Sequence, residues 1–219
     1  MSQRKASRRQ DVKRGGYRTP SGFRFELSGG ALCLDFINTL DERPTAQPRE
    51  LLANYGDLVS WARQAGAVTR RQAETLEKEA ARRPHQALAA VERARSVREE
   101  LFALFSQAAA GRRLSGKMVQ SLNERLAPAL GRQRLAPGTK AGAEWTWSES
   151  PDLDRMLWPV LRSAADLLTL EYLARVRECA SDSCAWLFVD RSKNRSRRWC
   201  DMTVCGNRDK VRRHRLRRP

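Results

Sequence analysis

Four of the five cysteines fall within 27 residues, as the pairs Cys179/Cys184 and Cys200/Cys205, each enclosing four residues, with 15 between the pairs. Each pair can form a short knuckle whose two sulfurs meet one ion. The stretch between them is long enough for a hairpin that brings the second pair to the first. One structural Zn2+ held by four thiolates, with no open position, suits this ligand set. A two-iron, two-sulfide cluster and a pair of disulfides are the rival uses of the same residues. A segment of roughly 40 residues buries too little apolar surface to fold unaided, so a metal here would determine the fold. Four thiolates on one divalent ion leave local negative charge, and Arg195, Arg197, Arg198 and Arg208 nearby favour the deprotonated ligands. Trp186–Val189 reads as a strand, and with Trp199 it supplies a small core around the metal.

Charge is distributed as unevenly as cysteine. Lys plus Arg number 42 against 25 Asp plus Glu, a net +17, of which residues 1–24 carry +7 (8 basic, 1 acidic) and residues 179–219 carry +8 (12 basic, 4 acidic). The intervening residues are nearly balanced, with 22 basic and 20 acidic side chains. Coding bias can account for 35 Arg against 7 Lys, but not for acidic residues offsetting Arg only in the middle. A polyanionic partner is the reading that fits two basic ends. Residues 1–22, with Arg4, Lys5, Arg8, Arg9, Lys13, Arg14 and Arg18 among small polar residues, form a basic disordered tail on composition. After Cys205 the stretch from Arg208 to Arg215 can form a helix with Arg208, Arg212 and Arg215 on one face, a row suited to phosphate oxygens. His214 reads as a helix surface residue rather than a ligand.

The middle of the chain is patterned for helices. Phe23, Phe25 and Leu27 alternate as a short strand, Gly29-Gly30 breaks it, and Ala31–Leu40 reads as a buried helix. Asp35 and Asn38 share a face of that helix, where they either tie down the Gly-Gly turn and neighbouring backbone or line a ligand pocket. Apolar spacing predicts helices over about 50–65, from an N-cap at Thr69 to Arg82, from Pro84 with Leu88 through Phe105 inward until Gly111, and from a cap at Ser115 until Pro128. Arg134–Ala136 and Glu144–Trp147 read as a hairpin, and a final helix after Pro151 is expected to bury Leu157, Leu161, Ala164, Leu168 and Tyr172, with Pro159 resetting its start or kinking it. The fold class is mainly α with a small β-hairpin (α+β): a multihelical N-terminal domain over 23–175, then a four-cysteine zinc-finger module over 176–219.

Catalytic signatures are missing from the sequence: it has no Gly-rich phosphate loop, no H-E-x-x-H and no Ser-His-acid set, with His85 and His214 its two histidines. No enzyme is expected. No apolar run approaches the ~20 residues that cross a bilayer, and a secretory h-region is absent, so no membrane association and a cytoplasmic setting are expected.

The tetrapeptide Cys205-Gly206-Asn207-Arg208 resembles the signature of the CGNR-type zinc finger. The likeness extends to Cys179 with Cys184, Leu187–Asp190, Ser192 with Asn194, Arg197–Cys200 and Lys210 with its basic helix. In that family the finger follows a domain called ABATE, whose opening resembles Gly29-Gly30, Leu32, Leu34–Phe36 and Asn38-Thr39 here. The resemblance implies a stress-induced bacterial transcription regulator, on the nucleoid when bound, with zinc on Cys179, Cys184, Cys200 and Cys205 and the finger on DNA. Candidate phosphate or base contacts are then Arg195, Arg197, Arg198, Arg208, Lys210, Arg212, Arg213 and Arg215. Two alternatives stand beside it: an RNA-binding zinc protein, and a ligand-sensing or enzymatic helical domain, with Asp35 and Asn38 in its pocket, that uses the finger for docking. A second copy of the chain and a small-molecule effector are further partners to consider.

Overall fold

The computed structural model of the protein describes residues 15–19, 22–139 and 141–216, apart from the side chains of 213–216. Most of the expected basic tail therefore lies outside the described residues. Its last part does not fit that expectation: Gly16–Thr19 (β1) pairs antiparallel with Gly22–Phe25 (β2), Tyr17 opposite Arg24. What composition missed is that Gln64 anchors this hairpin, its side chain accepting from the Phe25 N–H at 3.1 Å and donating to the Phe23 carbonyl at 2.7 Å.

The helical core begins with α1 (Leu32–Ile37), followed by the two-residue strands Leu40–Asp41 (β3) and Arg49–Glu50 (β4). α2 (Tyr55–Gln64) starts later than apolar spacing implies because the Asn54 side chain accepts from the Asp57 N–H at 2.9 Å and sets the N-cap there. α3 (Arg70–Arg82) opens on the expected Thr69, which forms a capping box with Gln72. α4 (Pro84–Ala109) carries Pro at its first turn and buries Val91, Ala94, Val97, Leu101, Leu104 and Phe105, whereas Leu88, expected inward, is exposed. α5 (Gly116–Leu130) runs through Pro128: the bond lost there belongs to the last turn, on the side of the exposed Glu124.

Gln133–Pro137 (β5) and Ala143–Trp147 (β6) form the expected hairpin, Leu135 opposite Trp145. α6 (Leu157–Thr169) takes Pro159 into its first turn, so the proline resets the start rather than kinking the helix. Tyr172 is not inward: α6 ends at Thr169, a 3-10 segment Glu171–Arg175 follows, and the ring is 53% exposed. The chain is mainly helical with small two-stranded sheets, the expected α+β class.

The finger opens with Val176–Glu178 (β7) paired to Leu187–Val189 (β8), Arg177 opposite Phe188. Successive strand residues face opposite ways. Leu187 and Val189 accordingly join the helical core with Val176, while Phe188 joins Trp186 and the four cysteines in a second, small core. A π-helical turn, Met202–Gly206, then leads into α7 (Asn207–Leu216). No helix among the described residues is long and apolar enough to cross a membrane.

Candidate metal centre and nucleic-acid interface

Cys179, Cys184, Cys200 and Cys205 are all buried, none is in a disulfide, and their sulfurs lie within 4.8 Å of one another. The Cys184–Cys200 and Cys200–Cys205 Sγ separations are both 3.6 Å. Zn–S bonds of ~2.3 Å to the corners of a tetrahedron put sulfurs ~3.8 Å apart, close to both of these separations, so this donor set fits the ion. The Cys200 N–H points at Cys179 Sγ at 3.4 Å, a bond that favours the thiolate. Contacts between the clustered sulfurs, ahead of burial, push the Cys184 and Cys200 thiols up and hold Cys179 down. Four such groups ionise together only around a cation, which is what zinc supplies. The protein holds one structural zinc on these four cysteines. Cys33 lies apart in α1, where burial pushes its thiol up to about 12 and leaves it a core residue.

Two turns around the sulfurs are fixed by carboxylates. Asp190, fully buried, accepts from the Ser192 N–H at 2.9 Å and the Arg197 N–H at 3.0 Å. Asp201 accepts from the Thr203 and Val204 N–H groups at 2.6 and 2.8 Å and caps the turn that delivers Cys205.

The eight candidate nucleic-acid contacts are not equivalent. Arg197 turns inward: its guanidinium lies 4.3 Å over the Phe188 ring, donates to the Trp199 carbonyl at 2.9 Å and also bonds the Cys200 carbonyl. It braces the metal loop instead of presenting donors outward. Arg195 and Lys210 are exposed, and Arg198 is exposed with its guanidinium 5.2 Å over Trp199. Arg208 faces Glu42 at 3.7 Å, and Arg212 bridges Asp182 and, at 3.2 Å, Asp209. Helix α7 carries Arg213 and Arg215, whose side chains lie outside the description.

Asp35 and Asn38 both bond backbone groups, the first of the two uses open to them in the sequence. Asp35 accepts from the Gly29 N–H at 2.8 Å, closing the Gly-Gly turn over the start of α1. Gly29 has no room for a side chain there, since a Cβ would stand 2.8 Å from that of Leu34, and Gly30 needs its freedom at φ +79°. Asn38, 3% exposed, donates to the Leu187 carbonyl at 2.9 Å and accepts from the Leu187 N–H at 3.0 Å. The Val189 N–H donates to the Gly29 carbonyl at 2.8 Å, so the opening motif is the clamp that seats the finger. Sequence reasoning allowed for "neighbouring backbone" here but had no signal that this backbone lies 149 residues away.

Burial, then the Glu26 charge, against the Gly29 hydrogen bond, pushes the Asp35 carboxyl up to about 6. A carboxyl whose folded value exceeds its unfolded one binds its proton more tightly when folded, so its contribution to stability is present below about pH 4 and lost as pH rises through 6. Asp35→Asn keeps the acceptor for Gly29. Its stability relative to wild type should therefore rise by about 2–3 kcal/mol between pH 4 and 7, as read by denaturant melts at several pH values.

A helical domain clamped to a four-sulfur zinc centre that opens into a basic helix defines the class: a zinc-finger protein with an N-terminal partner domain. The chain belongs to the ABATE family, whose model, described as "Putative stress-induced transcription regulator", matches residues 30–171. A CGNR zinc finger model matches residues 175–218, so both resemblances seen in the sequence hold. No curated protein matches the chain.

Proposed function

We propose that the protein is a transcription regulator that binds duplex DNA through α7 and the Ser192–Arg198 turn, without catalysis of its own. The observation that carries this is the attachment of α7: the helix begins two residues after the fourth cysteine, with Arg208, Lys210 and Arg212 exposed on it. A basic helix rooted at a metal centre presents cations in a fixed array, and docking rigid cations on phosphates costs less ordering entropy than docking a loose tail. The pairs Arg208–Glu42 and Arg212–Asp182 are surface pairs worth little, so phosphate oxygens displace them at small cost. The finger's tryptophans support the duplex over a base-stacked single strand of RNA: Trp186 is core and Trp199 packs against the sulfur cluster.

Fluorescence anisotropy with labelled duplexes tests the reading. Affinity should fall linearly with salt on a log-log plot, and Lys210→Ala or Arg212→Ala should each reduce the slope by about 1. Arg197→Ala should instead reduce the zinc content. Binding that ignores salt, or structured RNA competing as well as duplex DNA, would refute the proposal.

A further inference from the structure

Where the two domains meet, an open cleft of about 410 Å³ is lined by α6, the β5–β6 hairpin, the Gly30 turn and the end of β8. That volume falls within the range of small-molecule sites, which favour domain junctions. A second cavity, about 200 Å³ between α4 and α5, falls below that range. The lining of the larger cleft is both apolar and charged. Trp147, Pro159, Leu167, Leu170 and Tyr172 supply its apolar lining, the last two among the large apolar side chains left exposed. The Trp147 ring is held in place by Trp158, with centroids 6.2 Å apart.

The same lining carries two guanidinium groups, one from each domain. Arg162 is oriented by Asp166 at 2.7 Å and by the Gln133 side chain at 2.9 Å. Arg191, exposed, donates through one nitrogen to the Gly30 carbonyl at 2.8 Å and pairs with no carboxylate among the described residues. Asp166 offsets one of the two charges, so the cleft is left with one net positive charge beside aromatic surface.

We infer that this cleft binds a small aromatic carboxylic acid, its ring on Trp147 and Tyr172 and its carboxylate on Arg191, with Arg162 as second donor. Planar guanidinium groups match a carboxylate, and aromatic lining suits a ring. The ligand touches α6 and the finger at once, so its binding stiffens the seam that seats α7. That regulatory consequence rests on the DNA-binding reading above, whereas the binding site does not.

Calorimetry and tryptophan fluorescence on the full zinc-loaded chain test the inference, with naphthoate and benzoate as probes and naphthylmethanol and acetate as controls. Naphthoate should bind saturably at one site. Arg191→Ala and Tyr172→Ala should each weaken it about tenfold at unchanged zinc content and melting temperature. Tyr172 is half exposed, so its variant reads the site even if Arg191→Ala loosens the finger. No saturable binding of either acid at ~1 mM, equal affinity in wild type and Tyr172→Ala, or naphthylmethanol binding as tightly as naphthoate would overturn it. A chain that binds naphthoate but no duplex keeps the cleft and loses the DNA reading. One that binds duplex but neither acid does the opposite.

Discussion

Stripping the metal, or replacing Cys200 by Ser, is expected to unfold the finger and to lower the melting temperature of the helical domain with it. Structural zinc contributes ~10–16 kcal/mol in small modules, as much as or more than the ~5–15 kcal/mol that holds a whole domain together, so the finger cannot stay folded without it. The second effect follows from β8. Leu187, Val189 and Val176 are part of the helical core, and losing these three side chains uncovers the face of that core they seal. At about 1.5–3 kcal/mol for each fully buried aliphatic side chain, the loss is on the order of 5 kcal/mol, and at 2–4 °C per kcal/mol the melting temperature should fall by about 10–20 °C. Elemental analysis should give one zinc per wild-type chain. Fluorescence should shift to the red on chelation as Trp186, 1% exposed, meets water. An unchanged helical melt after chelation would mean that the two cores are independent.

Asn38→Leu should cost nearly as much without touching a ligand. The substitution leaves the Leu187 N–H and carbonyl without partners at a site closed to water, at about 1–3 kcal/mol for each group, or roughly 2–6 kcal/mol in all. Asn38→Asp is no better, because it retains the acceptor, loses the donor and buries an unpaired charge. Denaturant melts measure the loss, and a double-mutant cycle assigns it. Once Cys200→Ser has released β8, Asn38 has no partner to lose, so Asn38→Leu should then cost under about 1 kcal/mol. Equal costs in both backgrounds would place the effect within α1 alone.

The metal centre was legible from the sequence because its ligands are local: two pairs of one residue type at short spacing specify a tetrahedron almost without reference to the rest of the fold. The long helices were legible for the same reason, as Thr69, Pro84 and Ser115 mark starts through bonds or fixed dihedrals within one turn. What was not legible is long-range. Asp35 and Asn38 announce that they need partners, as polar groups in an apolar run do, but sequence does not say whether those are ligand atoms, nearby backbone or backbone 149 residues away. Arg197 looks like its exposed neighbours Arg195 and Arg198 until Phe188 and the Cys200 carbonyl are placed beside it. Tyr172 fits the apolar spacing of α6, but the chain leaves the α-helix at Thr169, and a register argument fails once the helix has ended.

Because β8 has no solvent-facing side, the finger is not a portable cassette. A fragment beginning at Val176 would carry Leu187 and Val189 as an adhesive strip, so reporter or bait fusions made from the finger alone should self-associate. Retargeting within this architecture is better confined to α7 and the arginine-bearing turn, leaving β8 and α1 as a matched pair inherited together.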